Sequence, residues 1–340
     1  MTRARAGWIA AFAALATLAA ASIFFGPLPA SPQDVLAILA AKAGFGTVRP
    51  DDPLVAIVWD LRIPRTILAI LVGAALAMSG AALQGIFRNP LVDAGLLGVS
   101  SGAALGAVSA FFLGLTAAGL LVLPASAVAG AFAAGIAVWA LGGRAGCSPT
   151  RLLLSGVAVG ALASSIASLL LSLKGPEALP AILFWLFGGF EAPTHDHVLF
   201  ALPGIAAGCA ALRIAARPLD LLSLGDARAS ALGVSPSRVR AGVIAATSLA
   251  VGTSVAVAGP VVFVGLMVPH VLRGLAGPAH ARLLPASALG GAILVLAADL
   301  ASRLLFPAGT LRLGVVTVLL GGPFFLWLLA RADREGGLAG

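Results

Sequence analysis

The sequence has no tyrosine, only two cysteines and only two lysines, and 10% of its 340 residues carry a charge. Because 60% of the residues are hydrophobic, so few charges cannot cover the surface of a water-soluble domain of this length. Cys147 and Cys209 show no metal or redox motif, and their predicted places in an inside loop and in a span argue against a disulfide. The scarcity of charge, with a mean hydropathy of +1.07, indicates a polytopic membrane protein.

The two lysines do not form a Walker A nucleotide loop. Such a loop needs Gly-Lys followed by Ser or Thr to hold phosphates, and neither Lys42 nor Lys174 follows a glycine. An intramembrane enzyme would need catalytic groups that face a cavity, and the sequence offers no convincing set. His195 and His197, with Asp196, have no convincing metal-ligand spacing and are interpreted as a solvated outside loop. We therefore predict a chain that is not an enzyme and binds neither metal nor cofactor, so that any ATP is hydrolysed by another subunit.

Long apolar runs predict the fold class, since a spanning helix needs about 20 mostly apolar residues. We predict an all-α membrane protein, one permease domain over 1–340, with ten transmembrane helices at 8–26, 66–86, 96–114, 117–141, 152–172, 197–214, 240–258, 261–277, 285–305 and 312–330. The apolar part of the stretch 176–195, AILFWLFGGF, is too short to span, and the stretch is interpreted as a re-entrant or extracellular helix. The first run exceeds the usual length of a signal-peptide core, which favours a retained helix over a cleaved one.

The cations predict the orientation of these spans. Fourteen of the 21 lysines and arginines fall on the side of the N-terminus when that terminus is placed inside, so the positive-inside rule puts both termini in the cytoplasm. The basic residues punctuate apolar spans and do not gather on one face, which argues against a nucleic-acid partner.

A degenerate repeat links the two halves of the chain. Eight positions match at an offset of 179: Val72, Gly73, Ala77, Gly80, Pro90, Gly95, Leu96 and Gly98 align with Val251, Gly252, Ala256, Gly259, Pro269, Gly274, Leu275 and Gly277. Half-repeats of approximately 1–175 and 195–335 hold five spans each. An odd number of spans makes the two copies face opposite ways, and such an inverted five-plus-five repeat is typical of transporters. The alternative is a chance match of Gly- and Ala-rich helices.

Small residues mark predicted helix contacts. Gly98, Gly102 and Gly106 recur every four residues, which places them on one helix face and allows close backbone approach. Tight packing is the favoured interpretation. The second is that this face, which follows the Asn89-Pro90 break, borders a substrate path. Two further candidates for path or packing roles stand near the start of the eighth span: Pro269 and His270.

Asp299 is the clearest charge inside a predicted span. It stands four residues before Arg303, a spacing that allows an ion pair on one helix. An intramembrane acid is also a candidate proton or sodium site, which leaves open an ion-coupled secondary carrier as the alternative function.

The largest polar interruption is the loop 215–238, which we interpret as two short helices. The first covers Pro218–Leu224; after a break at Gly225, Asp226 is expected to be the N-cap of the second and Gly233 its stop. Its apolar content predicts either a docking surface for a partner subunit or a segment that tucks under its own bundle. The docking candidates are Leu219, Leu221, Leu222, Leu224, Gly225, Asp226, Ala231, Leu232 and Gly233.

Several motifs together resemble one known family. They are R-x-P-R at 62–65, RNPL-x-D-x-G-LLG-x-S-x-G at 88–102, GPVVFVGL-x-VPH at 259–270, the loop 219–235, and the stretches 255–304 and 314–329. They are similar to the permease subunits of ABC importers for iron–siderophore complexes, haem and cobalamin (FecCD-type). The resemblance implies a ten-helix permease in the bacterial inner membrane that pairs as a homodimer. It also implies two ATP-binding cassette subunits that carry ATP and Mg²⁺, a periplasmic substrate-binding protein, and a substrate path along the dimer interface.

The same resemblance assigns roles to residues. Arg62, Arg65 and Arg303 would receive acidic residues of the binding protein at the outer face, and 219–235 would be the coupling helices that contact the ATPase. The outer lip before the last span, 310–314, departs from the common pattern of the family and is similar to haem-type permeases. We therefore predict import of a bulky metal chelate from periplasm to cytoplasm, with haem favoured and siderophore or cobalamin next.

Overall fold

The computed structural model describes residues 2–49, 52–143, 148–174, 185–305 and 311–334, and these residues form helices joined by short connections. We number the helices in chain order, as α1 Thr2–Phe24, α2 Pro32–Lys42, α3 Pro53–Phe87, α4 Val99–Phe112, α5 Val122–Gly142, α6 Pro149–Leu173, α7 His195–Ile214, α8 Ala216–Leu222, α9 Asp226–Ala231, α10 Pro236–Ala258, α11 Val264–Ala276, α12 His280–Leu305 and α13 Leu313–Arg334. Two short 3-10 turns, Ala94–Leu97 and Leu115–Ala118, flank α4.

Every predicted span falls on one of these helices. Seven are long and apolar enough to cross a membrane, namely α1, α3, α5, α6, α7, α10 and α12. The other three apolar stretches are shorter, at Val99–Phe112, Val264–Ala276 and Leu313–Leu328. The all-helical membrane fold is thus confirmed, whereas the count of ten spans stays a prediction. Residues 176–184 of the interpreted re-entrant stretch lie outside the described residues.

Helix α3 is the central helix of the bundle. Asp52 begins it by accepting a hydrogen bond from the backbone N–H of Leu54 at 2.9 Å, and Pro53 takes the first turn, where no N–H partner is needed. A π-helical stretch, Ala56–Arg62, precedes the regular α-helix Ile63–Phe87. Arg88 ends the helix in the left-handed region at φ 51°. Nearly every side chain from Val72 to Phe87 is buried, so α3 connects the two ends of the molecule through its core.

Glycines set the closest helix crossings. Gly73 of α3 faces Gly291 of α12, and a Cβ added to either residue would collide with the backbone of the other. A Cβ added to Gly80 of α3 would likewise collide with the backbone of Gly265 of α11. Such contacts let helix backbones touch, which is how small residues stabilise helix pairs without a hydrophobic driving force.

A second glycine crossing joins α4, α5 and α6. Gly102 and Gly106 of α4 lie against Gly130 of α5, while Gly98, at the start of α4, lies against Gly156 and Gly160 of α6. The face formed by Gly98, Gly102 and Gly106 is therefore filled by neighbouring backbone.

The offset of 179 is not kept residue by residue. Gly80 lies in the middle of α3, whereas its aligned partner Gly259 ends α10 at φ 64°. This pair thus occupies different local structures, whereas Gly73 and Gly252 both lie inside helices, and the repeat stays a prediction.

The segment 216–235 forms two short helices, as expected, but their bounds and caps differ. The first helix is Ala216–Leu222 and not Pro218–Leu224. Gly225, at φ 106°, is the N-cap residue of α9, and Asp226 is its first helical residue, so the predicted N-cap role of Asp226 is wrong. The carboxylate of Asp226 instead contacts Arg88 and Arg240. Gly233, at φ 82°, follows the end of α9 as predicted.

Candidate functional sites at the two ends of the bundle

A buried ion-pair cluster lies at one end of α3 and α12; we call Arg65, Asp299 and Arg303 the Asp299 cluster. Asp299 is 0% exposed and accepts hydrogen bonds from Arg65 Nε at 3.0 and 3.1 Å and from Arg65 Nη2 at 2.9 Å. Arg303 Nε lies 3.1 Å from Asp299 Oδ2. The predicted i,i+4 pair therefore forms, and Arg65 is a second partner from the other half of the chain.

The contacts of Asp299 test the hypothesis that it is the proton or sodium site of an ion-coupled carrier. Both oxygens of Asp299 are engaged by guanidinium groups, and Arg303 Nη2 also donates to the hydroxyl of Ser22 at 2.8 Å. Asp299 thus belongs to a packed ion-pair network between α1, α3 and α12, which is a structural arrangement. Nothing in the described part of the chain supports the carrier hypothesis.

Arg62 does not present its charge to the outside. Its side chain is 5% exposed and donates to the carbonyls of Ile23 at 2.9 Å, Phe24 at 3.0 Å and Leu28 at 2.5 Å. Arg62 therefore caps the C-terminal end of α1, where the last carbonyls lack helical partners and the helix dipole favours a cation. Its donors are thus occupied by these three carbonyls, and the expected role of Arg62 in receiving acidic groups of a partner stays a prediction. The side chain of Arg303 is also buried, whereas that of Arg65 stays a quarter exposed.

A cavity of about 280 Å³ opens beside this cluster. Arg62, Arg65, Arg303 and Arg312 supply its cations, and Glu191, which pairs with Arg312, supplies an acid. Its remaining lining is mostly apolar, including Leu28, Ile57, Leu61 and Phe190. It is an amphipathic depression with excess positive charge.

The histidines of the predicted outside loop instead begin α7. Thr194 and His197 form a capping box, and His195 Nε2 lies 3.0 Å from the carbonyl oxygen of Trp59. Their role is local and structural, which corrects the interpretation as a solvated loop. In the described ranges, no three metal-ligating side chains come together.

At the opposite end of α3 lies the segment 216–235, which we call the coupling segment. Leu219 and Leu222 are 0% and 1% exposed and pack into the core, whereas Leu224 and Leu232 are 50% and 59% exposed. The predicted docking set is thus divided: Leu219 and Leu222 tuck under their own bundle, and Leu224, Ala231, Leu232 and Gly233 face outward. A partner subunit cannot reach Leu219 or Leu222 without opening the fold.

Two carboxylates attach the coupling segment to the bundle. Asp226 pairs with Arg88 at the end of α3 and accepts from Arg240 Nη2 of α10 at 2.8 Å on both oxygens. Asp220 Oδ1 accepts from the backbone N–H of His280 at 2.8 Å and lies 2.7 Å from its Nδ1. His280 is the first residue of α12, so the segment contacts the ends of three helices.

A cavity of about 660 Å³ lies between the coupling segment and the ends of α3 and α11. The Asn89-Pro90 break and His270 line this cavity, as do Gln84, Arg273 and His280. Arg273 Nη2 donates to Gln84 Oε1 at 3.0 Å, and Gln84 Nε2 donates to the carbonyl of Gly265 at 3.2 Å, so this wall is cross-linked by side chains. Pro269 is buried inside α11, away from the cavity.

Sequence reasoning missed Arg240, Asp220 and His280. Arg240 is a buried cation near the start of a span, which is by itself a signal of a partner inside the protein. The pairing of Asp220 with His280 joins residues 60 positions apart, and the sequence carries no local signal for it.

Comparison with known proteins decides the family. A model of the FecCD transport family matches residues 14–331. The chain belongs to the FecCD transport family. Its place in this family makes it a permease subunit of an ABC transporter.

The sequences of several known proteins align with most of this chain. The ABC transporter permease protein YvrB of Bacillus subtilis (strain 168), named as uncharacterised, is 38% identical over 336 residues, which is 97% of this chain and 95% of YvrB. The cobalamin import permease BtuC of Halobacterium salinarum is 42% identical over 280 residues, covering 82% of this chain and 74% of BtuC. The vitamin B12 import permease BtuC of Shigella sonnei is 40% identical over 280 residues, covering 82% and 84%.

A solved structure shares the fold. It is classed as a metal-chelate type ABC transporter in an inward-facing conformation, and it superposes with a TM-score of 0.81 at 32% identity, covering 95% of this chain and 98% of that chain.

Proposed function

We propose that this FecCD-family chain is the membrane permease of a binding-protein-dependent ABC importer that moves a bulky metal chelate into the cell. The observation that carries the proposal is the family match over nearly the whole chain, joined to a segment that exposes Leu224 and Leu232 at one end of the bundle. Exposed leucines on a short helical segment are suited to bury apolar area against a partner. Two ATP-binding cassette subunits that hold ATP and Mg²⁺ are the partners at this end, and a second copy of the chain completes the membrane part.

Cobalamin is the first cargo to test. Two of the relatives described above are named as cobalamin or vitamin B12 permeases, at 40% identity or more. The preference for haem rests on the outer lip 310–314, of which residue 310 lies outside the described residues. Haem and ferric siderophores come next.

The orientation follows from the charge distribution. With most cations on the side of the coupling segment, that segment faces the cytoplasm, both termini are cytoplasmic, and the Asp299 cluster faces the periplasm of a bacterial inner membrane. The binding protein then docks over the cavity beside Arg65 and Arg312. Arg65 is the better candidate for its acidic residues than Arg62, because Arg62 is occupied by carbonyls of α1.

The packing pattern supports the inverted five-plus-five repeat. In such a repeat each span corresponds to the span five places away in the other half. The pair α3 and α12, the second and ninth spans, then corresponds to the pair α10 and α5, the seventh and fourth. Both pairs are among the most extensive helix contacts in the described fold. Two related halves that face opposite ways are suited to alternating access, in which rigid groups of helices move against each other around the substrate.

Co-purification tests the function. The tagged protein is extracted from native membranes in mild detergent, and an ATPase subunit is expected to co-purify in equal amount. Leu224→Asp with Leu232→Asp should remove the ATPase, because two charges would enter an apolar contact. Leu36→Asp, an exposed leucine on α2 at the other end, is the matched control and should retain it.

A folded wild-type protein that brings no ATPase would contradict the proposal. Uptake of labelled cyanocobalamin, haemin and a ferric siderophore by cells that express the complex then ranks the three cargoes. Uptake of none of them would remove the metal-chelate assignment while leaving the ATPase partnership intact.

A further inference from the structure

The coupling segment is joined to the bundle by charge at both of its helices. Asp220 stands in α8 and Asp226 begins α9, and each carboxylate contacts residues outside the segment. The exposed leucines between and after them make no comparable contact with the bundle. Force applied to Leu224 or Leu232 therefore reaches the bundle through the core contacts of α8 and through these two carboxylates.

The residues that receive these contacts stand at helix ends. Arg88 is held in the left-handed region, and its backbone N–H donates to the carbonyls of Gln84 and Gly85, so its position is fixed relative to α3. Arg240 is 5% exposed, and Asp226 is its carboxylate partner. His280 begins α12, so movement of Asp220 is passed directly to the start of that helix.

Helices α3 and α12 also carry the cluster at the opposite end. Gly73 and Gly291 bring their backbones into contact, and Asp299 joins them again through Arg65. At a rise of about 1.5 Å per residue, the 25 residues of Ile63–Phe87 extend over roughly 37 Å. The two helices are fastened at the coupling end, in the middle and at the far end, which is the construction of one rigid body.

We infer that Asp226 and Asp220 are positioning residues that transmit movement of the coupling segment to the α3–α12 pair, and through it to the cavity beside the Asp299 cluster. The inference rests on the proposed function, because it needs an ATPase that moves the segment. It predicts that loss of either carboxylate leaves the ATPase bound and active but weakens its connection to the far end, since the core contacts of α8 remain.

The test measures the two ends separately. Leu61→Cys, an exposed position that lines the far cavity, is placed in a background in which Cys147 and Cys209 are replaced by serine, and its reaction rate with a membrane-impermeant maleimide is followed in the complex. Mg-ATP with vanadate should change this rate by about fivefold or more, the low end of coupling between two sites. Asp226→Asn and Asp220→Asn should each clearly reduce the change, because only the core contacts of α8 and the other carboxylate remain, while co-purification and ATP hydrolysis stay near wild type.

Arg228→Gln is the matched control, since Arg228 is an exposed charge on α9. It should keep the full response. A normal response in both Asn variants would overturn the inference and leave the proposed function standing, whereas a wild-type protein without a bound ATPase would remove the proposed function itself.

A second measurement does not use the Asn variants and therefore tests the inference even if those variants do not fold. Spin labels at Ser230→Cys and Arg282→Cys, both exposed, report the distance between the coupling segment and the start of α12 with the two carboxylates intact. The distance should be the same without nucleotide and with Mg-ATP and vanadate. A change in that distance would show that the segment slides on the bundle and would overturn the inference.

Discussion

The two ends of the bundle use charge differently. In the Asp299 cluster a fully buried carboxylate is held by two guanidinium groups, whereas at the coupling segment Asp226 is 41% exposed and lies between one exposed and one buried arginine. Burial makes an ion pair hard to break, because one partner left alone in a medium of low polarity is costly. Exposure allows water to replace a lost partner. The comparison indicates an ion pair that is costly to break at one end and one whose lost partner water can replace at the other.

The largest effect is expected at the buried end. Asp299→Asn would leave the buried Arg303 and the quarter-exposed Arg65 without their carboxylate and should lower the free energy of unfolding by about 3–5 kcal/mol. Asp60→Asn is the control, since the Asp60 side chain is 59% exposed. Thermal unfolding in detergent measures both. Equal melting of Asp299→Asn and wild type would remove the contrast between the ends.

The crossing between the ends comes next. Gly73→Ala places a methyl group against the backbone of Gly291 and should destabilise the protein by about 1–3 kcal/mol, the usual range for overpacking. The control is Gly274→Ala, where the added Cβ meets nothing within 4 Å. Because alanine is the better helix former, the control should be neutral or slightly stabilising. Similar melting of the two variants would show that the crossing is loose.

The coupling end should respond less. Asp226→Asn removes charge-assisted hydrogen bonds from Arg88 and Arg240, and we expect a loss of about 1–2 kcal/mol because solvent reaches the site. The loss should shrink at high salt, since partly exposed pairs are screened, whereas the loss in Asp299→Asn should not. Unfolding at low and high ionic strength tests this directly. The same salt dependence at both ends would contradict the comparison.

The smallest effect is expected from replacing an arginine by lysine, and the same replacement can be compared at the two ends. Arg88→Lys keeps the charge at a side chain that is 37% exposed and should cost no more than about 0.5 kcal/mol. Arg65→Lys should cost more, since lysine cannot reproduce the Nε and Nη2 contacts that Arg65 makes with Asp299. Comparison of their melting midpoints is sufficient, and a larger effect at Arg88 would reverse the assignment of the two ends.

Spacing along one helix could be predicted from the sequence, and contacts between distant segments could not. The pair of Asp299 and Arg303 follows from a separation of four residues, but Arg65 joins them from 234 positions away. The hydrogen bonds of Arg62 to carbonyls of α1 could not be predicted, because the R-x-P-R motif is the same whether the side chain points outward or back toward α1. Only the folded path of α1 decides between the two.

The sequence of the coupling segment contains a helical spacing that could have divided the predicted docking residues into buried and exposed ones. Leu219 and Leu222 are three apart and share one helix face, which is the buried one, so periodicity alone separates them from the exposed Leu224. The apolar composition suggested a docking surface, and the helical spacing of its leucines would have shown which of them are exposed to a partner. The attachment of Asp220 to His280 depends on tertiary structure and lies beyond any local pattern.

The cap that Arg62 provides for α1 has a consequence for how the protein meets its bilayer. Only 6% of the apolar window of α1 is buried, and its C-terminal end is held through Arg62, Arg303 and Ser22. A helix that is mostly exposed, and whose contacts with the core at Leu15, Leu18 and Ala19 lie in its C-terminal half, can respond to hydrophobic mismatch by tilting about its fastened end. Bilayer thickness should therefore set the angle of α1, while the crossing of α3 and α12 stays as its glycines fix it.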